Sequence, residues 1–415
     1  MPYIGLAAQW GARHTGNMKR KYDLLLAEHL SENRQMAFLT GPRQVGKTTV
    51  ARNASPTRYF NWDVQTDRTL LTRGATAVAD AVHLTDLHER PPVLVFDELH
   101  KYPKWKSFLK GLYDAHGEQC RMIVTGSARL NVYKRGGDSL MGRYFAYRMH
   151  PLSVGEILNP TIGDDETVPP RKPAPDTVEA LLRYGGFPEP FLKASSRFHN
   201  RWEDLRTELL FREDIRDLTR IHESGQIQTL ATLLQNQTGQ LMNYSSLANA
   251  VNVSIDTICR WIAVLESFYF CFTIRPWHRN VPKSLRKQPK VFLWDWSMVL
   301  DTGARHENFV ASHLLKAVHW WSDRGLGRYG LFYLRDKAKR EVDFLVTKDD
   351  KPWLLVEVKT AAQRDLNPNL AFFQHATGAK HAFQAVFDMP YVDRDCFALT
   401  MPIRVPVATL LSQLP

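Results

Sequence analysis

Gly41-Pro-Arg-Gln-Val-Gly-Lys-Thr48 stands directly after a short apolar run, Met36–Thr40 (MAFLT), and directly before a helical segment. The pattern G-x-x-x-x-G-K-[ST] in a strand–loop–helix setting is what separates a phosphate loop from a chance match. The glycines allow the backbone N–H groups of residues 43 to 48 to turn inward, at a helix N-terminus that already favours anions. Gly41, Pro42, Arg43, Gln44, Val45, Gly46, Lys47, Thr48 and Thr49 are therefore the expected nucleotide-binding residues. Lys47 is expected to reach the β- and γ-phosphates of ATP, and the Thr48 hydroxyl to hold Mg2+.

Two further strand ends support the loop. In Val93 to Glu98 (VLVFDE) four apolar residues deliver Asp97 and Glu98 to the C-terminal end of a buried strand. Asp97 is expected in the magnesium shell, and Glu98 is expected to orient and deprotonate the attacking water. Thr125-Gly-Ser127 closes another apolar strand, RMIVTGS, and Ser127 is the expected sensor of the γ-phosphate; a helix cap or turn is its competing reading. Arg129 and Arg143 lie just downstream. Arg143 is the preferred candidate for neutralising transition-state charge, in its own subunit or a neighbour's.

Outward from these motifs, apolar strands alternate with helical segments from Met18 to Pro160, which reads as α/β with a parallel sheet covered on both faces. Residues 1–17 lack helical or strand periodicity and read as an extension without order of its own. Pro160 to Thr177, rich in proline and acids, reads as a linker, and helical periodicity dominates from Val178 to Phe270. Strands and helices return after a basic passage from Arg279 to Lys290. The expected division is thus 1–17, 18–160, 161–277 and 278–415.

Composition bounds the partners. The chain of 415 residues is 44% hydrophobic and 23% charged, enough for two or three cores. No run reaches the ~18 apolar residues of a membrane span. Cys120, Cys259, Cys271 and Cys396 form no C-x-x-C pair, which argues against a zinc knuckle or disulfide framework and makes the cytoplasm the expected location. A net charge of +11 suits a polyanion such as DNA, and equally a solvated basic surface.

The pieces GPRQVGKTT, VLVFDELHKYPKW, VTGSARL, SLMGR, HPLSVGE, YGGFPEP, REDIRDLTRI and PKVFLWDWS occur in that order. Through them the chain resembles the bacterial and archaeal P-loop ATPases of AAA type whose C-terminal half is a domain of unknown function. The resemblance implies an ATPase core, a helical winged-helix-like segment and a C-terminal region similar to the restriction-endonuclease fold. Residues 1–17 depart from the family pattern, which does not need them.

Within the middle segment, Tyr244 to Leu265 reads as a helix–turn–helix. Leu247, Ala250, Val251, Ile258, Ile262 and Leu265 are expected to face a core, and Asp256, Thr257 and Arg260 to be presented. That face is poor in positive charge for reading DNA, so a packing lid competes with it. Arg279, Lys283, Arg286, Lys287 and Lys290 are the better phosphate-backbone candidates.

Further on, REVDFLV (Arg340 to Val346) and WLLVEVK (Trp353 to Lys359) flank KDDK and read as a hairpin. Alternation puts Glu357 and Lys359 on one face, within reach of Asp343, and Glu307 opens an amphipathic helix that could complete a metal site. The D…E-x-K arrangement resembles the restriction-endonuclease superfamily, which implies Asp343, Glu357 and Lys359 as catalytic residues, with Glu307, Asp343 and Glu357 as metal ligands. Structural ion pairing is the competing reading, with the chain then a nucleotide-dependent switch or scaffold for a protein partner. Assembly into an oligomer is compatible with both.

Overall fold

The computed structural model describes residues 18–126, 140–215, 224–278, 288–361 and 365–415. Its contacts separate Met18–His150 from Pro151–Pro415. This division by contacts falls between His150 and Pro151.

In the first unit, α1 (Lys21–Glu32) precedes β1 (Met36–Thr40), α2 (Lys47–Asn53) and β2 (Arg58–Asn61). Two short helices, α3 (Gln65–Thr72) and α4 (Ala75–Ala81), lead to β3 (Val93–Asp97), α5 (Trp105–His116), β4 (Arg121–Gly126) and β5 (Tyr144–Arg148). The strands form one sheet in the order β2-β3-β4-β1-β5, with every pair parallel. Strands covered on both faces need nearly continuous apolar sequence, and MAFLT and VLVFD provide it. Phe38, Phe60, Phe96, Met122 and Val124 are buried with Leu109 and Leu112 of α5. Parallel pairing brings the C-terminal ends of β1, β3 and β4 to one edge of the sheet, where the phosphate loop begins.

The second unit starts with α6 (Val154–Leu158), α7 (Thr177–Tyr184), α8 (Pro188–Lys193), α9 (Ser196–Leu209) and α10 (Ser224–Asn236). α11 (Tyr244–Val251) and α12 (Ile255–Ser267) follow, capped by the Asn243 and Ser254 side chains, which accept from backbone N–H groups of their first turns. Then come β6 (Cys271–Pro276), β7 (Lys290–Leu293), α13 (Thr302–Asp323), β8 (Tyr329–Arg335), β9 (Glu341–Lys348) and β10 (Lys351–Lys359). α14 (Pro368–Thr377), β11 (His381–Val386), β12 (Ile403–Pro406) and α15 (Val407–Ser412) complete the chain.

Here a mixed sheet runs β12-β11-β10-β9-β8-β6-β7. The residues on either side of 277 share a core: Leu230, Trp261 and Leu265 pack with Cys271, Val291 and Leu293. Long-range burial of the β6–β7 pair against α10 and α12 thus joins the helical part to the sheet. The β9–β10 hairpin turns through Asp349 and Asp350, both at positive φ (49° and 64°), as a tight two-residue turn requires. Among the described residues no helix is long and apolar enough to cross a membrane.

Candidate functional site

The loop after β1 has the backbone that its glycines predict. Gly41 has φ 152°, and a Cβ there would lie 2.3 Å from the Met149 carbonyl oxygen, so a side chain would require the backbone to move. Gly46 has φ 103° and caps α2. Lys47 is buried and its Nζ donates to the carbonyls of Gly41 (2.9 Å) and Pro42 (2.6 Å), folded back along the loop it serves. Beneath the loop the Arg20 guanidinium, also buried, donates to Val45 O and His150 O, both at 2.7 Å. Sequence reading had no signal for Arg20, which acts from just before α1.

At the end of β3, Asp97 is held by hydroxyls from three other elements. Thr48 Oγ1 of α2 donates to Oδ2 at 3.0 Å, the Tyr59 phenol of β2 donates to the same oxygen, and Thr125 Oγ1 of β4 donates to Oδ1. Burial, then the bond to Asp97, pushes the Tyr59 phenol well above its ordinary range, so it remains a donor at neutral pH. Glu98 adopts a left-handed backbone (φ 55°), a conformation costing roughly 1 kcal/mol that recurs where a side chain must be re-aimed for function. Its carboxylate is 3.5 Å from Lys101 Nζ and 3.6 Å from His100 Nε2, and Lys101 is anchored to Asp63 at 2.7 Å.

The expected sensor Ser127, and Arg129, lie outside the described residues; Thr125, two positions earlier in the same TGS triplet, makes the observed contact. For Arg143 the expectation of a role at its own chain's phosphates is corrected. β5 runs parallel to β1 with Tyr144 level with Met36, and Met36 N donates to Arg143 O at 2.8 Å. Arg143 is therefore level with the residue before β1, about 20 Å from the loop at its other end, given ~3.3 Å per strand residue. Its side chain is paired instead with Asp114 of α5 at 2.6 Å.

In the second unit, alternation along β10 places Glu357 and Lys359 on one face, and they are bonded at 2.7 Å. Glu357 also accepts from Asn367 Nδ2 (2.8 Å), and Asp343 Oδ2 accepts from Val358 N (2.8 Å) across the hairpin. Glu307, from the first turns of α13, joins them, but not around an open centre. The Lys290 ammonium, almost fully buried, stands 3.0 Å from Glu307, 2.7 Å from Glu341 and 3.8 Å from Asp343.

Burial lifts the Asp343 carboxyl well above the usual range, reinforced by Glu307 and Glu357, and Glu307 is raised by burial as well. Glu341 is exceptional: burial opposes its charge, yet Lys290 and Arg335 hold it below the usual range. Among the described residues no group of three or more His, Cys, Asp or Glu side chains is set to hold a metal ion. In this arrangement the Lys290 ammonium supplies the counter-charge to Glu307, Glu341 and Asp343. Lys290 and Glu341 were missed as members of this cluster because no local motif joins β7 to β9. Arg279, Lys283, Arg286 and Lys287 lie outside the described residues.

Three stretches of the chain match known families. Residues 33–158 match a family described as an AAA domain, residues 175–303 a domain of unknown function (DUF8612), and residues 302–389 another (DUF4143). The first unit, with its loop, Asp97–Glu98 strand end and five-stranded parallel sheet, is thus similar to P-loop domains of AAA type. Uncharacterized proteins of Mycobacterium tuberculosis and Mycobacterium bovis are each 23% identical over 336 residues, 77% of this chain and 69% of theirs. One from Methanocaldococcus jannaschii is 23% identical over 306 residues, covering 66% of this chain and 63% of its own. A solved Walker-type ATPase of Pyrococcus abyssi has a TM-score of 0.42 at 13% identity, covering 68% of this chain and 94% of that one.

Proposed function

We propose that this protein hydrolyses ATP with magnesium. The observation that carries the reading is the 3.0 Å bond from Thr48 Oγ1 to Asp97, which joins the phosphate loop to the end of β3. A hydroxyl and a carboxylate are the hard oxygen donors that magnesium takes beside substrate phosphates, so Thr48 and Asp97 fit as its holders. Held by Thr48 and Asp97, the ion would supply positive charge against the phosphates. The loop amides of residues 43 to 48 and Lys47 bind the phosphates, with Lys47 exchanging the Gly41 and Pro42 carbonyls for phosphate oxygens. Glu98 orients water and accepts its proton.

The test is phosphate release from ATP by the full chain, with magnesium and with EDTA. Release is expected only with magnesium, and Thr48→Ala is expected to lower it roughly 10- to 100-fold, the usual loss when a metal site is disturbed. ATP binding without magnesium-dependent release would defeat the reading.

A second reading gives the C-terminal unit a role on DNA, through a winged-helix-like segment and an endonuclease-like sheet. The meeting of Asp343, Glu357 and Lys359 on the β9–β10 hairpin supports it. Lys290 among the carboxylates supports the competing reading, an ion-pair centre in a nucleotide-dependent switch that acts on a protein partner. Plasmid and single-stranded DNA incubated with magnesium or manganese, with and without ATP, separate the two. Cleavage lost in Asp343→Ala establishes the nuclease, and Lys47→Ala then reports whether ATP controls it. Intact DNA under all conditions, from protein that binds ATP, assigns the acids to structure.

A further inference from the structure

We infer that Tyr59 is a positioning residue of the hydrolytic centre: its phenol aims the Asp97 carboxylate at the Thr48 hydroxyl and thereby sets how readily magnesium is taken up with nucleotide. The inference rests on the ATPase reading above and adds a residue that neither the loop motif nor the strand-end acids announce.

The argument begins with register. β2 pairs with β3 so that Asn61 is level with Asp97 and Tyr59 with Val95. Side chains two apart on a strand share a face, so Tyr59 lies on Asp97's side of the sheet and one step back from its end. A long side chain is needed to cover that step, and tyrosine carries its hydroxyl at the far end of a rigid ring. Its neighbour Phe60 points the other way and is fully buried in the core. Tyr59 is only half-buried and stands outside that apolar cluster, so its contribution is the hydroxyl rather than packing. The ring is steadied by Arg52 of α2, whose guanidinium lies 4.9 Å from its centroid. α2 is the helix that opens with Lys47 and Thr48, so Tyr59 touches the phosphate-loop helix with its face and Asp97 with its tip.

The hydrogen bonds then define the role. Tyr59 and Thr48 both donate to Oδ2 of Asp97 while Thr125 donates to Oδ1. All three donors are neutral hydroxyls, which fix the carboxylate's rotation while leaving its negative charge for a cation. Were Thr48 to turn to a cation, Tyr59 and Thr125 would remain to keep Asp97 from turning away. Partners that hold a ligating carboxylate from behind are worth about 10- to 100-fold in metal affinity.

The experiment uses the full chain and Tyr59→Phe, which retains the ring over Arg52 and removes one oxygen. The Mg2+ concentration giving half-maximal ATP turnover is expected to rise about 10- to 100-fold. ATP binding in EDTA and the melting temperature are expected to stay at their parental values, which a merely structural role would not separate from the metal effect. Unchanged magnesium dependence in the folded variant overturns the inference. So does an equal loss of ATP binding in EDTA, which would assign Tyr59 to the loop rather than to Asp97.

Mn2+ binding with a non-hydrolysable ATP analogue, read by electron paramagnetic resonance, makes the same comparison without turnover. A parent protein that lacks turnover but shows the Tyr59-dependent Mn2+ shift defeats the hydrolysis reading alone. Should Tyr59→Phe not fold, Thr125→Val tests the same grip from the other carboxylate oxygen, with the same expected shift and the same overturning result.

Discussion

Glu98→Gln is expected to bind ATP as tightly as the parent and to hydrolyse it about a hundred- to ten-thousand-fold more slowly, the range that general-base catalysis contributes. That loss corresponds to about 3–5 kcal/mol of activation free energy. The amide preserves the size of the side chain and its place beside Lys101 and His100, but it cannot take a proton from water. Nothing in the phosphate grip changes, because Lys47, the loop amides and the Thr48–Asp97 bond involve other atoms. Single-turnover phosphate release and equilibrium nucleotide binding, measured on the same preparation, check both halves. A fall in turnover of less than about tenfold would remove Glu98 from the base role, since positioning of water alone would then carry most of the rate.

Glu156→Ala is expected to destabilise the second unit strongly. Glu156 and Lys316 are both almost fully buried and form an ion pair, and Lys316 Nζ also donates to Pro151 O at 3.0 Å. Removing the carboxylate leaves an ammonium in the interior without that counter-charge, which costs about 3–5 kcal/mol. Thermal unfolding should fall by on the order of 10 °C. Replacing both partners, Glu156→Leu with Lys316→Met, should recover most of the loss, because neither charge then needs to leave water. A single-variant loss below about 1 kcal/mol, the scale of an exposed pair, would show the pair to be hydrated.

Neighbouring residues explain why this position is inflexible. A Cβ on Gly155 would come within 1.7 Å of the Leu414 carbonyl oxygen, a backbone atom that has no rotamer to escape through. Val154 N donates to His313 Nε2 at 3.1 Å while His313 Nδ1 bonds Phe309 O, and burial, then Lys316, pushes that imidazole down from 6.5 to about 3. Between those two values the unfolded chain binds a proton that the folded chain refuses. Stability from His313 is therefore complete above about 6.5 and declines as pH falls toward 3.

Much of the ATPase domain was legible along the chain because its information is local. A glycine-rich turn must follow its strand within a few residues, and acids at a strand end must follow the apolar run that buries it. β3 ends at Asp97 and α2 opens at Lys47, as the apolar run and the glycine-rich turn predict. Arg143 misled because nearness in sequence to β4 says nothing about which end of the sheet a residue occupies. Ser127 lies outside the described residues, and the contact of Thr125 with Asp97 became visible only once β3 and β4 were paired.

The sequence by itself determined the α/β phosphate-loop domain, the α11–α12 pair and the β9–β10 hairpin, since each rests on periodicity and turn chemistry within some twenty residues. Tertiary structure alone decided the grip of Tyr59 and Thr125 on Asp97, the support of the loop by Arg20, and the place of Lys290 among Glu307, Glu341 and Asp343. These contacts join strands and helices that are distant in the chain, and they hold because burial makes an unmatched charge or donor expensive. That penalty acts only once the sheets have closed.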